Sequence, residues 1–316
     1  MEPGERRFRH EALFYDDVDE FLAGTSGFAQ EALDAGESVL VAVPDERARP
    51  LREQLGADAS RVEFLSMADL GRNPARIIPV LQDFVECNTR RATAFRGIGE
   101  PVWPGRSDLE LRECRLHEHL INTAFDDGPA WSLLCPYDAA RLPRRVLEAA
   151  GGSHSMLHGL GPTDIDGFDP RAGLAAFAAP LPELGPPLFE ACFDAPDLAA
   201  LREAVRQLAD RLGLHGRSVT DFILVTDELA GNSIRHGGGS GRIALWPPDG
   251  PAAGYAICEV HDRGLITDPL TGRRRPRLGS EDGGAGLWSL NRLCDLLLIH
   301  STAAAGTTVR AYLPTS

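Results

Sequence analysis

Residues 227–237 constrain this chain more than any other stretch, because they have the pattern of an amphipathic helix with a chemically active polar side. Glu228, Asn232 and His236 are spaced four residues apart, so on an α-helix they lie nearly above one another. The opposite face carries apolar residues: Phe222, Val225 and Leu229. A carboxylate, an amide and an imidazole on the outer side of a core-packed helix predict a binding or catalytic site.

Three glycine-containing motifs follow this helix in the sequence. They are Asp-Arg-Gly at residues 262–264, Gly-Gly-Ala-Gly-Leu at residues 283–287 and Gly-Thr-Thr-Val at residues 306–309. Each alone is common in a turn or at the start of a strand. In this order, after the helix, they resemble the N, G1, G2 and G3 boxes of the GHKL ATPases. The resemblance implies a Bergerat (GHKL) α/β sandwich that binds ATP, in which helices cover one face of a mixed sheet.

The helix at residues 227–237 and the Asp-Arg-Gly motif offer the groups that a complex of Mg²⁺ and ATP needs. Asn232 offers a neutral oxygen for Mg²⁺, which prefers oxygen ligands. Glu228, one turn earlier, can orient or deprotonate an attacking hydroxyl, and His236 is expected on the phosphate side. Asp262 ends a predicted strand and can accept a hydrogen bond from the adenine amino group. Gly264 lets the ring approach the backbone.

The remaining motifs are expected to contact the rest of the nucleotide. Gly284 and Gly286 precede a predicted helix, whose free N–H groups and dipole can hold phosphate. Leu287 completes this motif and is included among the nucleotide-binding residues. Thr308, on the last predicted strands, can reach the adenine side through its hydroxyl.

Within the GHKL proteins, the helix with its closing His-Gly and the motif at residues 306–309 resemble the anti-sigma-factor serine kinases of the RsbW and SpoIIAB type. By this resemblance Glu228 is the catalytic base and Asn232 is the Mg²⁺ ligand. The nucleotide contacts that it implies are Asp262, Gly264, Gly284, Gly286 and Thr308. The implied partners are a sigma factor and a STAS-type anti-anti-sigma protein, whose serine or threonine is the substrate. The oligomeric state stays open, although these relatives often pair as homodimers.

The chain departs from that family at Ile266, where a second glycine often follows the Asp-x-Gly motif. A side chain at this position predicts a stiffer lid hinge and slower nucleotide exchange. The loop from residue 267 to residue 282 is basic, and its arginines are Arg273, Arg274, Arg275 and Arg277. Two interpretations stay open: contact with phosphates or an acidic partner, and a disordered basic lid.

Residues 8–150 alternate helical and strand-like patterns, which predicts a mostly parallel sheet with helices on both faces. The layout also looks like a degenerate RecA-type fold. Residues 24–27 (Gly-Thr-Ser-Gly) interrupt the helical pattern of residues 16–35. They stand where a phosphate loop would, but they lack the Lys-Ser/Thr pair that a P-loop needs. No ATP hydrolysis is therefore expected in this part of the chain.

The same region resembles the MEDS sensory domain found before such ATPase domains. The motifs that carry this resemblance are residues 95–103 (Phe-Arg-Gly-Ile-Gly-Glu-Pro-Val-Trp), Glu113 with His117 and Glu118, and residues 134–138 (Leu-Cys-Pro-Tyr-Asp). One predicted helix carries Cys114, His117, Glu118 and His119. These can ligate a metal ion, but their position on a single helix favours packing or a ligand pocket.

Length, charge and cysteine usage bear on the domain organisation, the partners and the localisation of the protein. A chain of 316 residues suits two domains, and we expect a sensory domain at 8–150, a Gly/Pro-rich connector at 151–188 and an ATP-binding domain at 189–316. A net charge of −14 argues against nucleic acid as a direct partner. Six scattered cysteines, no apolar leader and no run of about 18–20 apolar residues favour a cytoplasmic protein without membrane contact.

These features predict an ATP-binding anti-sigma regulatory factor with serine/threonine protein kinase activity, controlled by its sensory domain. One alternative is a binding module in which ATP orders the lid and holds a partner without transfer. Glu228 favours transfer, whereas Ile266 leaves the binding module open. A further alternative is a sensor histidine kinase, which needs a two-helix segment with a phosphoacceptor histidine. His154 and His158 lie instead in the predicted connector.

Overall fold

The computed structural model describes residues 8–158, 175, 177–249, 253–276 and 284–315. The chain divides into two compact units that meet in sequence at residues 176 and 177. Each unit is built on its own sheet. Within the described ranges, no helix has both the length and the apolar character needed to span a bilayer.

The N-terminal unit is a parallel α/β structure. Its strands are β1 (Phe8–Tyr15), β2 (Ser38–Val43), β3 (Val62–Ser66), β4 (Phe95–Gly99), β5 (Trp131–Asp138) and β6 (Met156–Leu157). Its helices are α1 (Val18–Asp34), α2 (Asp45–Leu55), α3 (Met67–Leu70), α4 (Ile77–Arg90), α5 (Asp108–Phe125) and α6 (Arg144–Ser153), with 3₁₀ turns at Gly56–Arg61 and Pro74–Arg76. The sheet order is β3-β2-β4-β5-β1-β6, and the pairings among these described strands are parallel. The predicted parallel α/β sheet is confirmed.

Two strands of this sheet show how burial relates to sequence. β2 is buried from its second residue to its end, as expected for an apolar run covered on both faces of a parallel sheet. β1 lies between β5 and β6, yet it was not predicted, because its sequence carries His10 and Glu11. Both of these polar side chains are buried.

Helix α1 runs without a break, so the predicted interruption at residues 24–27 is wrong. The helix begins where the Asp17 side chain accepts hydrogen bonds from the N–H groups of Asp19 and Glu20. The buried Thr25 hydroxyl donates to the carbonyl of Phe21 one turn earlier, which satisfies it inside the helix. These four residues are therefore helix interior and not a loop.

The C-terminal unit is an antiparallel sheet with helices. Its strands are β7 (Phe189–Asp194), β8 (Ser240–Trp246), β9 (Tyr255–Asp262), β10 (Leu296–Thr302) and β11 (Gly306–Pro314). Its helices are α7 (Leu198–Leu208), α8 (Arg217–His236) and α9 (Ala285–Leu293), with a 3₁₀ turn at Ala195–Asp197. The order β10-β11-β9-β8-β7 is antiparallel at each described pairing, so the predicted mixed sheet is wrong, whereas the predicted α/β sandwich is confirmed. The edge strand β7 was not predicted.

The two faces of this sheet are covered differently. Helix α8 packs on one face, where the Thr226 hydroxyl meets the Cys258 thiol of β9. Residues 182–185 lie against the other face. There Arg310 of β11 donates to the carbonyl of Pro182, and the Trp246 indole of β8 donates to the carbonyl of Gly185. Part of the predicted connector is therefore packed onto the C-terminal sheet.

Candidate nucleotide-binding site

The polar side of α8 faces the first turn of α9. Glu228 and Asn232 are half-buried, and a Cβ atom placed on Gly286 would lie 2.5 Å from Glu228 Oε2 and 3.2 Å from Asn232 Oδ1. The absence of a side chain at Gly286 leaves the backbone of α9 next to these two polar groups. The fold thus brings together predicted site residues from two separate motifs.

The N-terminus of α9 lies in this region, because Gly286 in its first turn approaches Glu228 and Asn232. Gly284 precedes the helix with a left-handed φ of +90°, a conformation that favours glycine. The unpaired N–H groups and the dipole at a helix N-terminus stabilise negative charge such as phosphate. The Leu287 side chain is buried and lies against Gly272, so this residue contributes by packing. Gly283 lies outside the described residues.

Asp262, the last residue of β9, is held by two hydrogen bonds. Its Oδ2 accepts from the Ser233 hydroxyl of α8 at 2.5 Å, and its Oδ1 accepts from the Gly264 N–H at 2.8 Å. A Cβ atom on Gly264 would lie 2.7 Å from the carbonyl oxygen of His236 and 3.0 Å from the Cα of Gly237. Asp262, Gly264 and the end of α8 therefore meet at one point, and a side chain at position 264 would separate them.

The two threonines of the last motif point to opposite faces of the sheet. Thr307 pairs with Asp262 in the β9–β11 register, and its hydroxyl donates to the carbonyl of Gly264 at 2.9 Å. Thr308 pairs with His261 instead, and its hydroxyl is 3.0 Å from His261 Nδ1 on the face away from α8. The structure therefore places Thr307 beside Asp262 and leaves the predicted Thr308 on the far face.

The end of α8 is exposed and basic. The His236 side chain is exposed, and only its backbone closes against Gly264. Arg235 Nη2 donates to Asn232 Oδ1 at 2.9 Å and lies 3.7 Å from Glu228 Oε2. A positive charge therefore stands at the two oxygen-bearing side chains that are predicted to act on the nucleotide.

The first part of the predicted basic lid is anchored. The Ile266 N–H donates to the Ser301 hydroxyl at 2.8 Å, and the Asn291 amide of α9 donates to the carbonyl of Gly272 at 2.9 Å. Arg273 is fully buried, at 1% exposure. Arg274 and Arg275 are exposed, and Arg277 lies outside the described residues. Because Arg273 is buried, it does not belong to an exposed basic lid.

Ser233, Arg235, Ser301 and Thr307 were not predicted as site residues. Ser301 joins the group because its hydroxyl is 2.7 Å from the Thr307 hydroxyl. The signal for Ser233 and Thr307 was present, since each is adjacent in sequence to a predicted residue. Sequence spacing, however, does not say which of two neighbouring strand residues faces a helix.

The described donors suit a magnesium–nucleotide complex. Asn232 and Glu228 offer an amide oxygen and a carboxylate, the oxygen ligands that Mg²⁺ prefers. A carboxylate accepts about four hydrogen bonds, so Asp262 keeps acceptor capacity for an adenine amino group beyond the two bonds that hold it. The close approach of Gly286 and Gly264 leaves backbone rather than side chains next to these groups.

Comparison with known proteins assigns both units. Residues 9–155 match the MEthanogen/methylotroph, DcmR Sensory domain (MEDS). Residues 193–313 match the histidine kinase-like ATPase domain, which agrees with the antiparallel sheet and helices described above. No curated protein matches the chain. The fold, the glycine contacts and these two matches together identify a MEDS sensory domain followed by a histidine kinase-like ATPase domain of the GHKL type.

Proposed function

We propose that this chain binds ATP with Mg²⁺ and phosphorylates a serine or threonine of a STAS-type anti-anti-sigma protein. The observation that supports the proposal best is the approach of Gly286 to Glu228 and Asn232. It brings a candidate base and a candidate magnesium ligand to a helix N-terminus suited to phosphate. Bound magnesium–ATP supplies the phosphoryl group and neutralises its charge.

Each residue has a distinct role in this proposal. Asn232 holds the magnesium ion, and the N–H groups of α9 hold the phosphates. Asp262, fixed by Ser233, accepts from the adenine amino group. Glu228 accepts the proton of the attacking hydroxyl, a contribution of roughly 10²–10⁴-fold for a positioned base.

The regulatory part of the proposal concerns the partners. A sigma factor is the second partner of the ATPase domain, and the MEDS domain supplies the signal that controls it. The protein acts in the cytoplasm, as a homodimer. Sedimentation of the purified chain tests the homodimer, and co-purification with sigma factors of the native host tests the partner.

One observation favours a second candidate, a binding module without transfer. Arg235 donates a hydrogen bond to the amide oxygen of Asn232 and lies 3.7 Å from Glu228 Oε2, so the amide oxygen already has a donor and the carboxylate already has a counter-charge. In that case ATP would hold a partner and no phosphoryl group would move. A histidine kinase has no comparable support, because His154 is fully buried and its Nδ1 is 2.8 Å from the carbonyl of Ala150.

The test combines binding with transfer. The purified chain is titrated with ATP and Mg²⁺ by calorimetry, and is then incubated with STAS-type proteins of its native host before mass spectrometry for phosphoserine and phosphothreonine. Asn232→Ala should lose binding and transfer together. Glu228→Gln should keep ATP affinity within about twofold and lose at least about 10²-fold in transfer rate.

Asp227→Asn is the matched control, because Asp227 neighbours Glu228 on α8 but pairs with Arg202, 2.7 Å away. It should leave binding and transfer unchanged. ATP binding without any phosphorylated partner would support the binding module. Unchanged ATP affinity in Asn232→Ala would remove the site itself.

A further inference from the structure

Four side chains from four segments of the N-terminal unit converge in its interior. His10 lies on β1, Glu118 on α5, Cys135 on β5 and His154 directly after α6. Each is at most 3% exposed. One ligand atom from each lies within 4.8 Å of the corresponding atoms of the other three.

The separations between these atoms suit a single tetrahedral ion. His10 Nε2 is 3.2 Å from Glu118 Oε2 and 3.3 Å from Cys135 Sγ, and His154 Nε2 is 3.4 Å from Glu118 Oε2. Metal–ligand bonds of about 2.0–2.3 Å in a tetrahedral zinc site place neighbouring ligand atoms roughly 3.3–3.6 Å apart. An ion could therefore enter with small side-chain adjustments.

His10 Nε2 and Cys135 Sγ are within hydrogen-bond distance of each other, whereas the ligand atoms of His154 and Glu118 lack a hydrogen-bond partner among the described residues. His154 Nδ1 is 2.8 Å from the carbonyl of Ala150, which directs the lone pair of Nε2 toward Glu118. Within the described part of the chain, His154 Nε2 and both carboxyl oxygens of Glu118 satisfy no hydrogen-bond geometry. Buried polar atoms without a partner are rare and costly, so their grouping points to a ligand.

The protonation states agree with a site that is completed by a cation. Burial lowers the pKa of His10 and the pKa of His154 to about 3, so both imidazoles are neutral at physiological pH. Burial also raises the pKa of the Glu118 carboxyl and the pKa of the Cys135 thiol. A divalent cation stabilises the thiolate and the carboxylate and so offsets the cost of burying them.

A cavity reaches from the surface to Glu118 at the side of this cluster. Its volume is about 230 Å³, and its lining runs from the buried Glu118 and Tyr137 to the exposed Asp108 and Arg145. Glu118 is the member of the cluster that lines this cavity. The cavity leaves room beside Glu118 for a small molecule.

We propose that His10, Glu118, Cys135 and His154 bind one zinc(II) ion. A thiolate and two imidazoles favour zinc over magnesium or calcium, which take oxygen ligands. The ion would tie β1, β5, α5 and the end of α6 together, so metal binding would stabilise the sensory domain. This site shares no residue with the nucleotide site and does not depend on the proposed kinase activity.

The test uses the full chain, purified without a histidine tag and without nucleotide. Metal content is measured by plasma mass spectrometry after dialysis, and the apo-protein is titrated with Zn²⁺ and with Co²⁺. About one zinc per chain is expected, and Co²⁺ should produce a thiolate-to-cobalt charge-transfer band. X-ray absorption of the wild-type zinc protein should show a single sulfur ligand with nitrogen and oxygen ligands.

Two nearly isosteric variants and one control identify the ligands. Cys135→Ser should lose the charge-transfer band, and Glu118→Gln should keep it while metal affinity falls roughly 10–100-fold. Cys114→Ser is the control, because Cys114 is an equally buried cysteine of α5 whose thiol bonds the carbonyl of Pro101. It should bind zinc and cobalt like the wild type.

Several outcomes would overturn the proposal. These are wild-type protein that takes up no stoichiometric zinc, a charge-transfer band that survives in Cys135→Ser, and a band that is lost in Cys114→Ser. If Cys135→Ser fails to fold, the absorption spectrum of the wild-type zinc protein still decides, since a zinc site without a sulfur ligand contradicts this ligand set.

Discussion

Thr307 and Thr308 are chemically alike, yet the antiparallel register gives them different environments. Thr307 is buried between Gly264 and Ser301, next to Asp262, whereas Thr308 contacts His261 on the other face. A strand alternates its side chains between two faces, so a shift of one residue exchanges site and non-site positions. At this scale, the pairing of β11 with β9 decides which of the two threonines lies beside Asp262 in the candidate nucleotide site.

This difference predicts unequal effects of the same substitution. Thr307→Val removes the hydroxyl that bonds Gly264 and should weaken ATP binding by about tenfold, the effect of losing one buried hydrogen bond. Thr308→Val should change affinity by less than about twofold. Calorimetric titration of both variants is the measurement, and a larger loss in Thr308→Val would contradict this assignment.

At the scale of elements, close approach between a helix and its sheet depends on single glycines. In α1, a Cβ atom on Gly24 would lie 2.6 Å from Leu13 Cδ2 of β1, so this glycine lets the helix sit close to the sheet. Gly27, one turn later, has no atom within 4 Å of the same position among the described residues. One glycine therefore serves packing and the other does not.

The two glycines of α1 should respond oppositely to alanine. Gly24→Ala overpacks the interface with β1 and should lower the free energy of unfolding by about 1–3 kcal/mol. Gly27→Ala removes backbone freedom from the unfolded chain at a helical position and should raise it by about 0.4–1 kcal/mol. Chemical denaturation of the full chain provides the comparison. Equal effects of the two variants would show that contact with Leu13 is unimportant.

At the scale of the whole molecule, each of the two units includes residues of the Gly/Pro-rich segment 151–188. Phe177 is buried, and Leu188 donates its N–H to the carbonyl of Leu245 in β8. Together with the contacts of Pro182 and Gly185, these place residues 177–188 with the ATPase domain. The N-terminal unit likewise includes His154, which a boundary at residue 150 would separate from it.

Truncation tests this placement. A chain of residues 177–316 should unfold cooperatively and bind ATP. A chain of residues 189–316 loses a buried phenylalanine and three hydrogen bonds, and should be roughly 2–5 kcal/mol less stable. Denaturant unfolding of both fragments measures the difference, and equal stability would mean that residues 177–188 contribute nothing.

The N-terminal unit should also show a pH dependence that originates at Glu100. Burial raises the pKa of this carboxyl from 4.5 to about 8, even though the Tyr15 hydroxyl donates to it at 2.7 Å and opposes the shift. Between these two values the folded chain binds a proton that the unfolded chain has released. Its stabilising contribution is therefore complete below about pH 4.5 and is lost as pH rises to about 8.

The measurement compares Glu100→Gln with the wild type by calorimetry across this range. Relative to the variant, the wild type should lose up to about 1.4 kcal/mol of its free energy of unfolding per pH unit. The difference in unfolding free energy between the two proteins should level off above about pH 8. Glu63→Gln is the control, because Glu63 is an exposed carboxyl of β3. If the difference in unfolding free energy between the wild type and Glu100→Gln does not vary with pH, the raised pKa of Glu100 is contradicted.

The local sequence was enough to predict the helix that carries Glu228, Asn232 and His236, both α/β units and the GHKL-type ATPase domain. Periodicity and the positions of glycines are local properties, so they can be recognised without knowledge of the rest of the chain. The internal strand β1 was missed because it carries His10 and Glu11, and the edge strand β7 was missed because it is short and half-exposed.

Only the tertiary structure selected Thr307 over Thr308, placed Arg235 on Asn232, and gathered His10, Glu118, Cys135 and His154 around one point. The physical reason is common to these cases. A side chain's direction follows from strand register and helix packing, which are set by contacts between residues far apart in the chain. A sequence pattern names the chemical groups, and packing brings them within bonding distance.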